Sequence, residues 1–363
     1  MAQIDVANME GDIDYDTIMK EFGVEPFDRF LPQMKKSHLL FRRKIIFAHR
    51  GFGHILAAMH GKKPFAVVGG FNPSGNLHVG NKIFMDQLLF YQDMGGQVFI
   101  PISNDETYVF GKTDKLESAT DCAMKTVIPN LIALGLDPKK TKIFISTKTS
   151  KAYELAVKLS AKTTFSSVKA IFGFDNQSNP GKIFYSVMQT AHILFPQLEE
   201  YGGPKPVVVS IGIDQDPYMR LARDLAEKIG FEKPSSTYNR FLIGLQGGKM
   251  SGSKPHTAIF LDDDEETVRK KIIGAFSGGG ASLKEHREKG GNPDIDAACQ
   301  YLKFGFEPDD KKLEEIFAGY RNGSVSTGDV KNLVIDRVTA FLKQHHNNVE
   351  KARKQVDKFL IAP

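Results

Sequence analysis

Two short segments of this chain carry residue types suited to holding phosphate. The first is Pro73-Ser74-Gly75-Asn76-Leu77-His78-Val79-Gly80-Asn81 and the second is Lys249-Met250-Ser251-Gly252-Ser253-Lys254-Pro255. The first lies where a strand pattern gives way to a helix pattern. A helix N-terminus presents unpaired N–H groups and a partial positive charge, which suits an anion. Gly80 would let the backbone approach a ligand closely, and His78 and Asn81 add side-chain donors one turn apart. Taken alone, the segment reads about as well as an ordinary loop with a capping asparagine. The second follows Gly247-Gly248 and joins two lysines and two hydroxyls in a loop of small residues. Such a loop can close over a triphosphate and neutralise charge that grows on departing pyrophosphate. Alone, it is also a solvated basic loop. In this order, within one α/β pattern, the two describe a two-sided clamp on ATP.

Those segments need a frame. Phe65-Ala66-Val67-Val68 reads as a buried strand ended by Gly69-Gly70. Lys82 to Met94 carries a helical repeat, with Gly95-Gly96 after it. Gln97-Val98-Phe99-Ile100 is the next strand, which completes a βαβ unit. Leu116 to Leu134 predicts a helix kinked or broken before Pro129. Lys142 to Ser146 and Pro206 to Gly212 predict two more strands, the latter apolar and β-branched like a central parallel strand. It delivers Asp214-Gln215-Asp216 to its C-terminal end, where open α/β sheets keep their ligand crevice. Tyr218 to Ile229 predicts a helix, and residues 150–200 read as mainly helical, interrupted at Asn179-Pro180-Gly181. Beyond Ser277-Gly278-Gly279-Gly280 helical patterns dominate. The expected fold is α/β, a doubly wound, Rossmann-like parallel sheet with a helical C-terminal domain. The expected division is a leader over 1–60, a catalytic domain with a helical insertion over 61–274 and a helical domain over 275–363. The leader predicts a short helix from Asp14 closed by Gly23, then a mixed basic and apolar stretch over 39–47. Arg42, Arg43 and Lys44 there could touch phosphate or simply form a solvated helix face.

The 363 residues hold 48 basic and 43 acidic side chains, a net charge of +5 that permits an anionic partner without demanding one. Cys122 and Cys299 are far apart, with no metal spacing and no disulfide framework, which points to a reducing compartment. No apolar run approaches the length of a membrane span, and the acidic N-terminus is not a secretory signal. A cytoplasmic location is expected.

The paired segments resemble the HIGH and KMSKS motifs of class I aminoacyl-tRNA synthetases. Gly212-Ile213-Asp214-Gln215-Asp216-Pro217-Tyr218 resembles a motif of tryptophanyl-tRNA synthetases of the archaeal and eukaryotic type. Phe41-Arg42-Arg43-Lys44, Val168 to Phe174, Ala275-Phe276-Ser277-Gly278-Gly279, Glu285-His286-Arg287 and Gly290-Gly291 are similar to the same group. The resemblance runs from about Asp14 to near the C-terminus. It implies that tryptophan and ATP, with magnesium, give tryptophanyl-adenylate and pyrophosphate, and that the acyl group then passes to tRNA(Trp). It implies a homodimer and an anticodon-reading C-terminal domain, where Lys331, Arg337, Lys343, Lys351, Arg353, Lys354 and Lys358 outnumber the acidic residues. It places His78, Asn81, Lys249 and Ser253 in catalysis and Gly70, Ser74, Gly80, Asp214, Met250, Ser251 and Lys254 around the nucleotide. Glu106, Gln189 and Gln215 match positions that hold the substrate ammonium.

The sequence also departs from that group. Asn81 replaces a histidine, and an amide still donates. Gly252 stands where Ala or Lys is usual, Phe71 where an arginine is, and Ala7-Asn8 where a Pro-Trp pair is. The family tyrosine and glutamine that meet the indole nitrogen fall on Val68 and Pro101, neither of which offers a side-chain acceptor. Ser103 and His192 are the candidate replacements. Two rival readings stay open at this point: a tyrosine–tRNA ligase, which shares the fold and clamp, and a catalytically silent RNA-binding paralogue.

Overall fold

A computed structural model describes residues 14–248, 250 and 255–361. Seven strands form one sheet: β1 (Glu25–Pro26), β2 (Ile46–Arg50), β3 (Ala66–Val68), β4 (Gln97–Ile102), β5 (Thr141–Ile145), β6 (Val207–Gly212) and β7 (Ser235–Asn239). Their order is β1-β2-β7-β6-β3-β4-β5. The five from β7 to β5 are parallel, and β2 and β1 extend the sheet antiparallel. The chain winds outward from β3 through β4 to β5, then returns to β6 and β7 on the other side. The expected doubly wound sheet is therefore present, and its topological switch lies between β3 and β6, where such sheets bind ligands.

The two sheet faces bury separate apolar clusters. Alternation along β3, β4 and β6 sends Val67, Val98, Ile100 and Val208 to one face and Val68, Phe99 and Val209 to the other. The helix Val79–Asp93 covers the first face, and Pro180–Leu194 and Asp216–Ala226 cover the second. The helix before Pro129 is indeed interrupted: Leu116–Cys122, a π-turn over Ala123–Val127, then Ile128–Ala133.

The stretch 39–47 differs from both expectations. Leu39–Arg42 is a single helical turn, and Ile46–Arg50 is β2, paired with β7. Arg42 and Arg43 each contact Asp310 at 2.7 Å, and Arg43 also donates to the carbonyls of Lys303 at 2.8 Å and Glu307 at 2.7 Å. Lys44 pairs with Asp28 at 2.7 Å. All three cations are committed within the protein, and the two arginines fasten this segment to the helical C-terminal part. There the helices Leu283–Lys289, Asp310–Arg321 and Thr327–Arg353 dominate, as the pattern predicts. The chain end returns to the sheet: Ile143 N–H donates to Phe359 O at 2.8 Å and Ile361 N–H to Ile143 O at 2.9 Å, which covers the edge strand β5.

Candidate active site

A cavity of about 400 Å³ opens at the switch point. Gly70, Ser74, His78, Asn81, Ser103, Glu106, Gln189, His192 and Gln215 all line it. Nine of the expected site residues, drawn from positions 70 to 215, thus converge on one crevice. Gly80, Asp214 and Met250 are not in its wall. Lys249, Ser251, Ser253 and Lys254, like the Ala7-Asn8 pair, lie outside the described residues.

His78 is the N-cap of Val79–Asp93, and Asn81 Oδ1 accepts from the His78 backbone N–H at 2.9 Å. Asn81 is therefore the capping asparagine of the duller reading and still leaves its Nδ2 as a donor. Burial lowers the His78 pKa to about 4, so the ring is neutral at physiological pH, and its Nδ1 is buried without a partner. Asn72 Nδ2, in the same cavity wall, is likewise buried without a partner. Unpartnered polar atoms in a crevice mark places where a ligand supplies the missing bond. Gly80 has a packing role as well: a Cβ there would fall 2.9 Å from the His78 ring and 3.3 Å from Met250 Sδ. Met250 thus brings the second segment against the first. The residues after that loop are tied to the first segment, since Val79 N–H donates to Ile259 O at 2.9 Å and Leu261 N–H to Leu77 O at 2.8 Å.

The same cavity wall holds a carboxylate and two amides, Glu106, Gln189 and Gln215. Glu106 sits on the short helix Asn104–Val109 that follows β4. Its Oε2 accepts from Tyr185 O–H at 2.8 Å and its Oε1 from Lys112 at 3.3 Å. Gln189 Nε2 donates to Gln215 Oε1 at 3.3 Å, and Gln215 Nε2 to Asp214 Oδ2 at 3.3 Å. Asp214 thus supports Gln215 from behind, and Gly212 makes room for it, because a Cβ there would fall 2.5 Å from Asp214 Oδ1. A carboxylate beside two amides matches an ammonium group. Val68, Phe71, Phe84, Pro101, Val209 and Met219 give the cavity an apolar part of its wall.

Sequence reasoning missed Tyr185 and Tyr218, which also line the cavity. Tyr185 was detectable, because Tyr185, Gln189 and His192 share one helix face at four- and three-residue spacing. Asp216 is the reverse case. It belongs to the same motif as Gln215, yet its side chain is fully buried in an ion pair with Arg50 at 3.0 Å.

Comparison with known proteins agrees with this geometry. The family described as tRNA synthetases class I (W and Y) matches residues 59–343. A tryptophan–tRNA ligase of Methanocaldococcus jannaschii is 44% identical over 353 residues, covering 96% of this chain and 95% of that one. The crystal structure of tryptophanyl-tRNA synthetase from Aeropyrum pernix superposes with a TM-score of 0.90 at 37% identity, over 96% of this chain and 97% of the other. A tryptophanyl-tRNA synthetase from Encephalitozoon cuniculi bound to tryptophan gives a TM-score of 0.84 at 30% identity, over 96% and 100%. Nearly full-length likeness on this scale, joined to the convergent crevice, shows that the chain belongs to the class I tRNA synthetases for tryptophan and tyrosine and, within them, to the tryptophan–tRNA ligases of archaeal and eukaryotic type.

Proposed function

We propose that this cavity makes tryptophanyl-adenylate from tryptophan and ATP and that the enzyme then transfers the acyl group to the 3′-terminal adenosine of tRNA(Trp). The observation that carries the reading is Glu106 set against Gln189 and Gln215 in the same crevice as His78 and Asn81. An amino acid held by its ammonium group at one end points its carboxylate toward a nucleotide held at the other.

In the first step a tryptophan carboxylate oxygen bonds to the α-phosphorus as the bond to pyrophosphate breaks. No enzyme nucleophile is required, so the protein contributes position and charge. Glu106, Gln189 and Gln215 hold the ammonium. Neutral His78 and the Asn81 Nδ2 donate to phosphate and ribose. Gly70, Ser74 and Ser251 shape the nucleotide site, Gly80 and Met250 pack against His78 beside it, Asp214 backs Gln215, and Lys249, Ser253 and Lys254 neutralise the departing pyrophosphate. Magnesium would arrive on the triphosphate, since it keeps several waters and needs few protein ligands.

Of the seven basic residues expected to read tRNA, Lys331 donates to the carbonyls of Ile273 at 2.7 Å and Ala275 at 2.8 Å, and Arg337 pairs with Glu307 at 2.7 Å. Those two serve the fold. Arg353 donates to the Lys125 carbonyl at 2.7 Å, and Lys343, Lys351, Lys354 and Lys358 are exposed and remain the proposed RNA contacts. Exposed Tyr108, Phe110, Val157 and Phe184 on neighbouring helices support a homodimer. No helix among the described residues is long and apolar enough to cross a membrane, and a cytoplasmic site of action suits the proposed substrates. The test is charging of tRNA(Trp) with labelled tryptophan by wild type and Glu106→Gln. Charging by wild type with a raised tryptophan KM in the variant is expected, and an unchanged KM would remove Glu106 from the ammonium site.

A further inference from the structure

We infer that His192 Nδ1 accepts the indole N–H and that Asp105 and Ser146 hold the imidazole in the one tautomer able to do so. The inference rests on the proposal that tryptophan occupies this cavity.

Val68 and Pro101, both in the cavity wall, carry no side-chain acceptor. Val68 and Val209 belong to one face of the sheet, the face covered by Pro180–Leu194. Pro101, two residues beyond Phe99 on β4, faces the same way. His192 projects from that covering helix into the cavity and packs edge-on against Phe144 of β5, with ring centroids 5.6 Å apart. It lies three residues beyond Gln189, which is about 4.5 Å of helical rise. That step matches the reach from an amino acid's ammonium group to its side-chain ring.

The hydrogen bonds behind His192 fix its proton. Asp105 Oδ1 accepts from Glu106 N–H at 2.9 Å, and Asp105 Oδ2 accepts from Ser146 O–H at 2.5 Å. Ser146 has one proton, and it goes to Asp105. Ser146 Oγ, 3.0 Å from His192 Nε2, can then only accept. The imidazole proton must therefore sit on Nε2, and Nδ1 keeps its lone pair. Burial lowers the His192 pKa to about 4, which keeps the ring neutral and the lone pair available.

The rival acceptors are engaged or misplaced. Ser103 is tied to Tyr185, which donates to Glu106, so it belongs to the ammonium end. Asn72 Oδ1 accepts from Thr107, and Asn81 Oδ1 from the His78 N–H. Ser210 Oγ also lines the cavity and is buried without a partner, but strand alternation turns it to the face covered by Val79–Asp93, the opposite face from the helix that carries His192.

The test compares tryptophan with an analogue carrying sulfur in place of the indole N–H, by ATP–pyrophosphate exchange. Wild type should prefer tryptophan by roughly 10- to 100-fold in kcat/KM, expressed mainly in KM. His192→Leu should erase the preference, His192→Asn, whose Oδ1 occupies the place of Nδ1, should restore part of it, and Ser103→Ala should keep it. Nitrogen-15 NMR of wild type should show a lone-pair Nδ1 and a protonated Nε2, with the tautomers mixing in Ser146→Ala. Equal use of both substrates by wild type, or a preference that survives His192→Leu, would overturn the inference. So would a protonated Nδ1, a readout independent of turnover. Wild type that activates neither substrate, while Nδ1 carries its lone pair, would instead count against tryptophan activation.

Discussion

Asp216 looks like an active-site residue from its motif and like a structural one from its surroundings. Arg50 reaches both carboxylate oxygens through Nη2, at 3.0 and 3.1 Å, and Tyr238 also bonds Oδ1. Arg50 further donates to the carbonyls of Phe22 at 2.8 Å and Gly23 at 3.2 Å. Asp216 and Arg50 together therefore join the helix Tyr15–Phe22, β2, β7 and the helix Asp216–Ala226. Asp216→Ala would strand a guanidinium that is 19% exposed against a fully buried partner position. Breaking such a pair costs about 3–5 kcal/mol, and partial access of Arg50 to water favours the lower end, about 3 kcal/mol. Asp216→Asn keeps the shape and an acceptor and should cost less. Denaturant unfolding of wild type and both variants measures the loss. Tryptophan KM, measured well below the unfolding midpoint, should change little. An unchanged midpoint, or full stability with kcat abolished, would refute the structural assignment.

Lys249→Ala should slow adenylate formation by about 10²–10³ while tryptophan affinity changes little; single-turnover kinetics checks this, and an unchanged rate would move the role to Lys254. Gly80→Ala should displace the His78 ring, since the added Cβ would lie 2.9 Å from it, and should slow the same step without a comparable loss of tryptophan binding. Stability should fall on acidification between pH 6.5 and about 4. Burial lowers the pKa of His49, His78, His192 and His345 to about 4, whereas the unfolded chain protonates its histidines near 6.5. The unfolded state thus takes up more protons in that window, and His192 alone accounts for roughly 3 kcal/mol across it. Denaturant titrations at several pH values should show the slope shrinking in His192→Leu, and an unchanged slope would contradict neutral burial.

The parallel core was readable because β3, β4, β5 and β6 are apolar runs between turn residues, and the site because its parts follow strand ends. β7 was not readable. Ser235-Ser236-Thr237-Tyr238-Asn239 has no apolar run, yet its first four residues are buried, and only tertiary partners such as Gln87, which donates to Thr237 at 2.6 Å, explain how. β2 was hidden by the basic run before it, whose arginines answer to Asp310, some 268 residues away in sequence. The support behind His192 was equally hidden, since Asp105, Ser146 and His192 come from three elements and no spacing links them. Tyr185 was visible in principle at helical spacing from Gln189, but a tyrosine on a helix face looks like core until Glu106 is placed opposite it.

The central claim is that this crevice activates tryptophan. The most direct measurement is ATP–pyrophosphate exchange by the purified full chain with tryptophan, tyrosine and phenylalanine in parallel. Exchange with tryptophan should run well above that with tyrosine or phenylalanine. Equal or greater exchange with tyrosine, or none with any of the three, would contradict it.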